Sequence, residues 1–376
     1  MNRKTICKNC VMDDTDPKIV FDKDGICDQC LNYISKLKVF LENAKEADSF
    51  RKISKKIISK KSNNEFDSII GLSGGLDSSY MLHKVVTEYS MKPLVVHVDA
   101  GWNSEEAVSN INNLVNGLNL DLFTEVINWK EMRNLQIAFF KSGVAHLDVP
   151  QDHAFISAIY HFAKKYKIKT ILNGGNFSTE GIRNPLSWLY FGSDTKQILD
   201  INKKFGSIEL KKYPLTNILW HKVYLKYVKN VNVVKPLNYF DYNKTEAEDI
   251  LRNLYGWKGY PQKHFESRFT RFFEGYWLPK RFGYDTRKPQ LSSLILSGQI
   301  TRSEALQILK RPSLDTKQEK EDFEYVARKL QISENELQTY FELPLKYYND
   351  YKNQSYMFNF GSWAMKKLGL EKSVKR

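Results

Sequence analysis

Ile69-Ile70-Gly71-Leu72-Ser73-Gly74-Gly75-Leu76-Asp77-Ser78-Ser79 decides the fold. The first four residues are a short apolar run and read as a buried strand. Residues 80–86, Tyr-Met-Leu-His-Lys-Val-Val, continue at helical spacing. A strand, a Gly-Gly turn and a helix start make a place for a phosphate group. Glycines let the backbone approach closely, the first amides of a helix lack internal partners, and the helix dipole favours an anion there. Ser73, Ser78 and Ser79 add hydroxyl donors. Asp77 repels an anion, so the expectation is that it holds a magnesium ion accompanying the phosphates.

The loop lacks the Lys-Ser/Thr ending of a Walker A loop, and it is not the dinucleotide fingerprint. Ser-Gly-Gly-x-Asp-Ser resembles the pyrophosphate loop of the ATP-pyrophosphatase superfamily, which includes asparagine, GMP and argininosuccinate synthetases and tRNA-thiolating enzymes. That resemblance implies a doubly wound α/β fold with a mostly parallel sheet. It also implies ATP contacts at Leu72, Ser73, Gly74, Gly75, Asp77, Ser78 and Ser79.

Further strands follow from apolar runs. Residues 93–99, Pro-Leu-Val-Val-His-Val-Asp, lie at the distance a right-handed βαβ unit requires. In similar enzymes the end of this strand flanks the adenosine, which nominates Val98 and Asp99. A third strand is expected at 122–127 and a fourth at 170–173. The fourth opens into Gly174-Gly175-Asn176, small residues beyond a strand's carboxyl end that are placed to line a ligand crevice. Glu180 is a candidate second magnesium ligand. Residues 233–237 read as the last core strand, and a helix is expected from Asn243.

Outside this core, the four cysteines of the chain are Cys7, Cys10, Cys27 and Cys30. Two Cys-x-x-Cys knuckles converging on one ion read as a four-thiolate zinc site, with iron–sulfur binding as the rival metal and a disulfide pair as the bland alternative. The start, Met-Asn-Arg-Lys, carries no apolar signal segment, so a cytoplasmic setting is expected. Nothing approaches the ~20 apolar residues of a membrane helix. The expected organisation is a ribbon over 1–35, a basic linker helix over 36–62, the nucleotide domain over 63–256 with a substrate-side insertion at 181–230, and a helical region over 257–376. The net charge of +14 favours phosphorylated or acidic partners. The linker reads as a solvated amphipathic helix, with RNA binding as the sharper alternative.

The order of motifs is similar to that of the N-acetyl sugar amidotransferases of bacterial surface-polysaccharide biosynthesis. It runs Cys-x-x-Cys-Val-Met-Asp, Ser-Gly-Gly-x-Asp-Ser, Val-Pro-Gln-Asp152-His153, Gly-Gly-Asn, Lys263-His-x-Glu-Ser-x-Phe-Thr-Arg, and Leu-Ser-Ser-Leu-Ile-Leu-Ser-Gly at 291–298. The resemblance implies ATP-dependent conversion of an acetamido group on a sugar, usually nucleotide-linked, into an acetamidino group, as in LPS O-antigen synthesis. AMP on the amide oxygen makes a leaving group, and ammonia attacks the activated carbon. Asp152 or His153 would orient the acceptor or take a proton, unless Asp152 only caps a helix over 154–165. Lys263 and Arg268 would meet phosphates, unless they form ion pairs around Glu266. ATP, Mg2+ and Zn2+ are the expected cofactors.

No cysteine follows Cys30, so a glutaminase nucleophile is absent. Ammonia is therefore expected from a separate glutaminase resembling that of imidazole-glycerol-phosphate synthase, with or without its cyclase-like barrel. The strongest alternative is tRNA thiolation. Sulfur delivery there commonly uses further core cysteines, which this chain lacks, so nucleic acid is not an expected partner.

Overall fold

The computed structural model describes residues 5–46, 49–61 and 65–367. Five parallel strands, β1 (Ser68–Gly71), β2 (Pro93–Asp99), β3 (Leu122–Val126), β4 (Thr170–Leu172) and β5 (Asn232–Val234), form one sheet in the order β3-β2-β1-β4-β5. This is the doubly wound, parallel arrangement expected from the sequence. Side chains alternate between the sheet's two faces. Ile69, Leu94, Val96 and Ile171 enter one core, and Ile70, Val95 and Leu172 enter the other. Helices cover both faces, which is why the inner strands β1, β2 and β4 read as apolar runs, whereas the edge strands β3 and β5 are more exposed.

The first core is shared with the C-terminal helices. Phe269, Phe272, Phe273 and Trp277 pack there with Phe139 and Phe140. The second core holds Met81 and Leu82 of helix Leu76–Thr87, Ile111 and Leu114 of helix Glu105–Gly117, and Ala247 and Leu251 of helix Lys244–Tyr255. Asn243 caps the last of these, accepting from the Thr245 and Glu246 amides.

One local expectation changes. The helix expected over 154–165 begins five residues earlier, as Val149–Lys165, with Pro150 tolerated in its first turn. Asp152 therefore lies inside that turn, and Asp148 takes the cap position. Within residues 181–230, Trp188, Tyr190 and Tyr213 are buried, and Phe191, Trp220 and Tyr224 are half-buried. The linker region includes helices Val39–Glu46 and Ser49–Ser59, and residues 47–48 between them fall outside the described residues. Among the described residues, no helix is long and apolar enough to cross a membrane.

β1 and β4 are neighbours whose crossovers run to opposite sides of the sheet. A crevice opens beyond their carboxyl ends, at this switch point.

Candidate functional site

The crevice encloses about 520 Å³ and is lined by residues 73 and 75–78 of the glycine loop, by 173–175 after β4, and by Glu180 and Lys263. Its floor begins where Leu72 extends the ladder, its amide donating to Val96 O at 2.9 Å. His97 Nδ1 donates to Leu72 O at 2.9 Å. Gly74 then turns at φ +81°, where an added Cβ would lie 2.6 Å from Ala107 O. Its carbonyl accepts from Trp257 Nε1 at 3.2 Å, Tyr260 Oη at 3.1 Å and Asn110 Nδ2 at 3.3 Å.

Gly75 occupies the cap position of helix Leu76–Thr87, and no side chain caps that helix. The first amides thus face the crevice without an intrahelical acceptor, next to the Ser73 and Ser78 hydroxyls, which stand 3.2 Å apart. Ser79 Oγ is buried with no hydrogen-bond partner. Gly174 lets the chain after β4 press close, because a Cβ there would sit 3.1 Å from Ser78 N. This arrangement fits an anion: donors converge on the helix start, and the carbonyl that would repel a phosphate is tied back by three side chains.

Acidic groups surround the cradle. Lys263 Nζ lies 2.5 Å from Asp77 Oδ2 and 2.7 Å from Glu180 Oε1, and donates to Thr179 Oγ1 at 3.1 Å. Tyr242 Oη donates to Asp77 Oδ1. Desolvation works against the charged forms, yet Asp77 and Glu180 hold Lys263 above its ordinary pKa, and Lys263 draws Glu180 down to about 2. The cation between these carboxylates is therefore an ammonium. Asp77 and Glu180, the two expected magnesium ligands, are thus brought together around Lys263. Glu266 faces the same loop, accepting from Ser73 Oγ at 3.1 Å. It is carried there by a short bridge of 102–104 against 266–268, in which Ser104 N donates to Glu266 O and Arg268 N to Trp102 O.

The other nominated residues lie elsewhere. Asp99 caps its own turn, accepting from Gly101 N at 2.7 Å and Asn103 Nδ2 at 3.1 Å, and Val98 is buried in the strand. Neither lines the crevice. Asn176 is buried and caps the short helix Phe177–Glu180 through Thr179 N, 2.8 Å away. Arg268 stacks its guanidinium 3.4 Å from the Tyr325 ring centroid and lies 3.4 Å from Asp322; it pairs with the C-terminal helices rather than around Glu266.

His153 is fully buried, donating from Nδ1 to Gly192 O at 2.9 Å and accepting at Nε2 from Thr216 N at 3.0 Å. Desolvation lowers its pKa to about 4. With both nitrogens engaged, the ring has no free position for a substrate proton. Asp152 lies 3.4 Å from His146 Nε2.

The four cysteines form the second site. All are buried, and their sulfurs lie within 4.8 Å of one another, with Cys7–Cys30 at 3.9 Å and Cys10–Cys27 at 3.7 Å. A tetrahedron of ~2.3 Å zinc–sulfur bonds requires sulfurs roughly 3.8 Å apart. The set therefore fits a single ion and excludes disulfides at these separations. Backbone amides of Cys27 and Met12 donate to Cys7 Sγ and Cys10 Sγ at 3.2 and 3.4 Å. The ribbon is clamped to the crevice wall. Arg302 donates to the carbonyls of Cys7 and Cys10, and Val11 N to Ser292 Oγ on helix Arg287–Leu296, whose Gln290 and Leu294 line the crevice.

Asn110, Trp257, Tyr260, Tyr242 and Glu266 were not nominated from sequence. For Glu266 a signal existed, since it lies inside the Lys-His-x-Glu-Ser motif. The others carry none, because they reach the loop only through folding.

Comparison with known proteins gives one family match. Residues 266–367 match the family described as LPS biosynthesis protein WbpG-like, C-terminal domain. The family resemblance read from the motifs is borne out over that segment. No curated protein sequence matches the chain. Solved structures similar to it include the NH3-dependent NAD synthetase of Campylobacter jejuni, 17% identical, covering 44% of this chain and 72% of that one at a TM-score of 0.28. NMN synthetase from Francisella tularensis is 14% identical, with 83% and 98% covered at 0.30. The U34-tRNA thiolase NcsA of Methanococcus maripaludis, with its [4Fe-4S] cluster, is 13% identical, with 91% and 90% covered at 0.31. Likeness at this level assigns no residue a role.

Proposed function

We propose that this chain, WbpG-like over residues 266–367, is an ATP-dependent ligase of LPS biosynthesis that converts a sugar acetamido group into an acetamidino group. One observation carries the reading: an uncapped helix start, two serine hydroxyls and a pinned-back Gly74 carbonyl converge on a crevice at the switch point of a parallel sheet. Such a cradle suits the pyrophosphate of ATP as it leaves.

An amide oxygen is a poor leaving group. The amide oxygen attacks the α-phosphorus, the bond to the pyrophosphate bridge breaks, and an O-adenylyl imidate forms. Ammonia then adds to the imidate carbon and AMP departs with the former amide oxygen. One proton from the nitrogen is lost to solvent or to a crevice carboxylate. The loop amides and Lys263 offset the charge that accumulates on pyrophosphate. Asp77 and Glu180 hold the lysine in place until the phosphates arrive. Glu266, against Ser73, is the candidate acceptor for the proton.

Magnesium, when bound, comes with the phosphates and neutralises charge. Zinc is the ion assigned to the four thiolates, with a structural role. Ammonia is supplied by a separate glutaminase, since every cysteine is in the ribbon.

The test is mass spectrometry of acetamido nucleotide-sugars incubated with the chain, ATP, magnesium and ammonium. Replacing oxygen by NH lowers the mass by about one dalton, as amide-to-amidine chemistry at such a site requires. No mass change across the panel, with no ATP-dependent pyrophosphate release, rejects the proposal.

A further inference from the structure

We infer that a second, basic hollow is a binding site for a nucleoside diphosphate, the handle of the acceptor; that last identification rests on the function proposed above. The hollow lies between the basic N-terminal helices and the β4–β5 edge and measures about 1360 Å³. Eight cationic side chains line it against one carboxylate, Asp67. Asp67 is already committed, accepting from Ser68 Oγ at 2.6 Å and Lys92 N at 2.7 Å.

The cations converge from separate parts of the chain. Lys36, Lys56 and Lys60 come from the N-terminal helical segments, Lys167 and Lys169 from the turn before β4, and Lys235 from the end of β5. Like charges gathered in a concavity repel one another, and a polyanion relieves that repulsion. Lys235 is half-buried, and its desolvation depresses its pKa despite nearby Glu180. A phosphate beside it replaces lost hydration with a charge-assisted contact.

Aromatic surface lies in the same hollow. Phe40 and Tyr239 both line it, with their ring centroids 5.9 Å apart. Cations together with ring faces suit a ligand that has both phosphates and a base.

The hollow shares a wall with the crevice. Gly175 and Glu180 line the crevice, whereas Lys235 lines the hollow. A Cβ built on Gly175 would lie 3.1 Å from both Glu180 Oε2 and Lys235 Nζ. A diphosphate held at Lys235 thus places whatever it carries beside the crevice. This adjacency favours a small nucleotide over an RNA strand, whose backbone needs a continuous track and no such neighbour.

The experiment titrates the full chain with UDP, CDP and GDP, with and without saturating α,β-methylene ATP. One equivalent of at least one diphosphate is expected to bind, undisturbed by the ATP analogue. Lys56→Glu combined with Lys169→Glu, both exposed and outside the crevice, is expected to weaken it about tenfold or more, with melting temperature and analogue affinity unchanged. Three results overturn the inference: no diphosphate binds, the analogue displaces it, or the double reversal leaves its affinity intact. Displacement of the diphosphate by a tighter-binding single-stranded RNA 12-mer also overturns it and reassigns the hollow to RNA. Failure of the proposed reaction is read separately, as missing ATP-dependent pyrophosphate release, and leaves the diphosphate titration standing.

Discussion

Lys263 bridges Asp77 and Glu180, its ammonium 2.5 Å from one carboxylate and 2.7 Å from the other. The three residues come from the glycine loop's helix, the short helix after β4, and the segment before the C-terminal helices. Three distant parts of the chain thus close around one charge, at the mouth of the phosphate cradle.

Lys263→Met removes that charge and leaves two neighbouring carboxylates uncompensated. ATP-dependent pyrophosphate release is expected to fall about 10²-fold or more. Raising magnesium should restore little. Recovery to the native rate in high magnesium would show instead that the carboxylates are metal ligands and the lysine a placeholder.

Gly74→Ala adds a methyl 2.6 Å from Ala107 O at a backbone angle that side chains disfavour. Destabilisation of about 1–3 kcal/mol is expected in denaturant unfolding. Trp257→Phe removes only one of three donors to the Gly74 carbonyl and should cost about 1 kcal/mol. Equal effects from the two would contradict the role given to the turn.

The thiolate site should hold one zinc per chain by elemental analysis. Chelation or Cys10→Ser is expected to unfold the ribbon at a cost of several kcal/mol, on the order of that for structural zinc sites. Arg302 and Ser292 would lose their ribbon partners, so the melting temperature of the whole chain should drop. Iron with inorganic sulfide in place of zinc would refute the assignment.

His264 lies 3.4 Å from Glu274. Desolvation pulls its pKa down, but the Glu274 carboxylate more than offsets this and raises it from 6.5 to about 9. The folded value exceeds the unfolded one. Its stabilising contribution is therefore fully present below about pH 6.5 and is lost as pH rises through about 9. Melting temperatures across that window should fall in the native chain and fall less in His264→Gln.

His153→Asn tests a positioning role. It should lower stability by removing the contacts to Gly192 and Thr216, while the pH dependence of pyrophosphate release stays unchanged. Loss of an ionisation near neutrality from the rate profile would return His153 to the chemistry.

Much of this was legible in the chain. The inner strands were visible as apolar runs because helices bury both faces of a parallel sheet. The anion cradle was visible because Gly-Gly between a strand and a helix leaves amides exposed. The metal site was visible because two knuckles bring four thiols together locally. Less legible were the charges. Asp77 and Glu180 read as metal ligands, and only folding places Lys263 between them. Asp152 looked like a cap until the helix proved to begin at Val149. His153 looked reactive until both of its nitrogens were seen to be engaged.

Local pattern, then, was enough for the sheet, the phosphate turn and the thiolate set, since each depends on residues close in sequence and on backbone geometry that every chain shares. Folding alone decided that Asn110, Trp257 and Tyr260 restrain Gly74, that Lys263 neutralises two acids, and that eight cations surround a hollow one residue's width from the crevice. Side-chain electrostatics acts across space, and the partners it joins here are separated by up to about two hundred positions of chain.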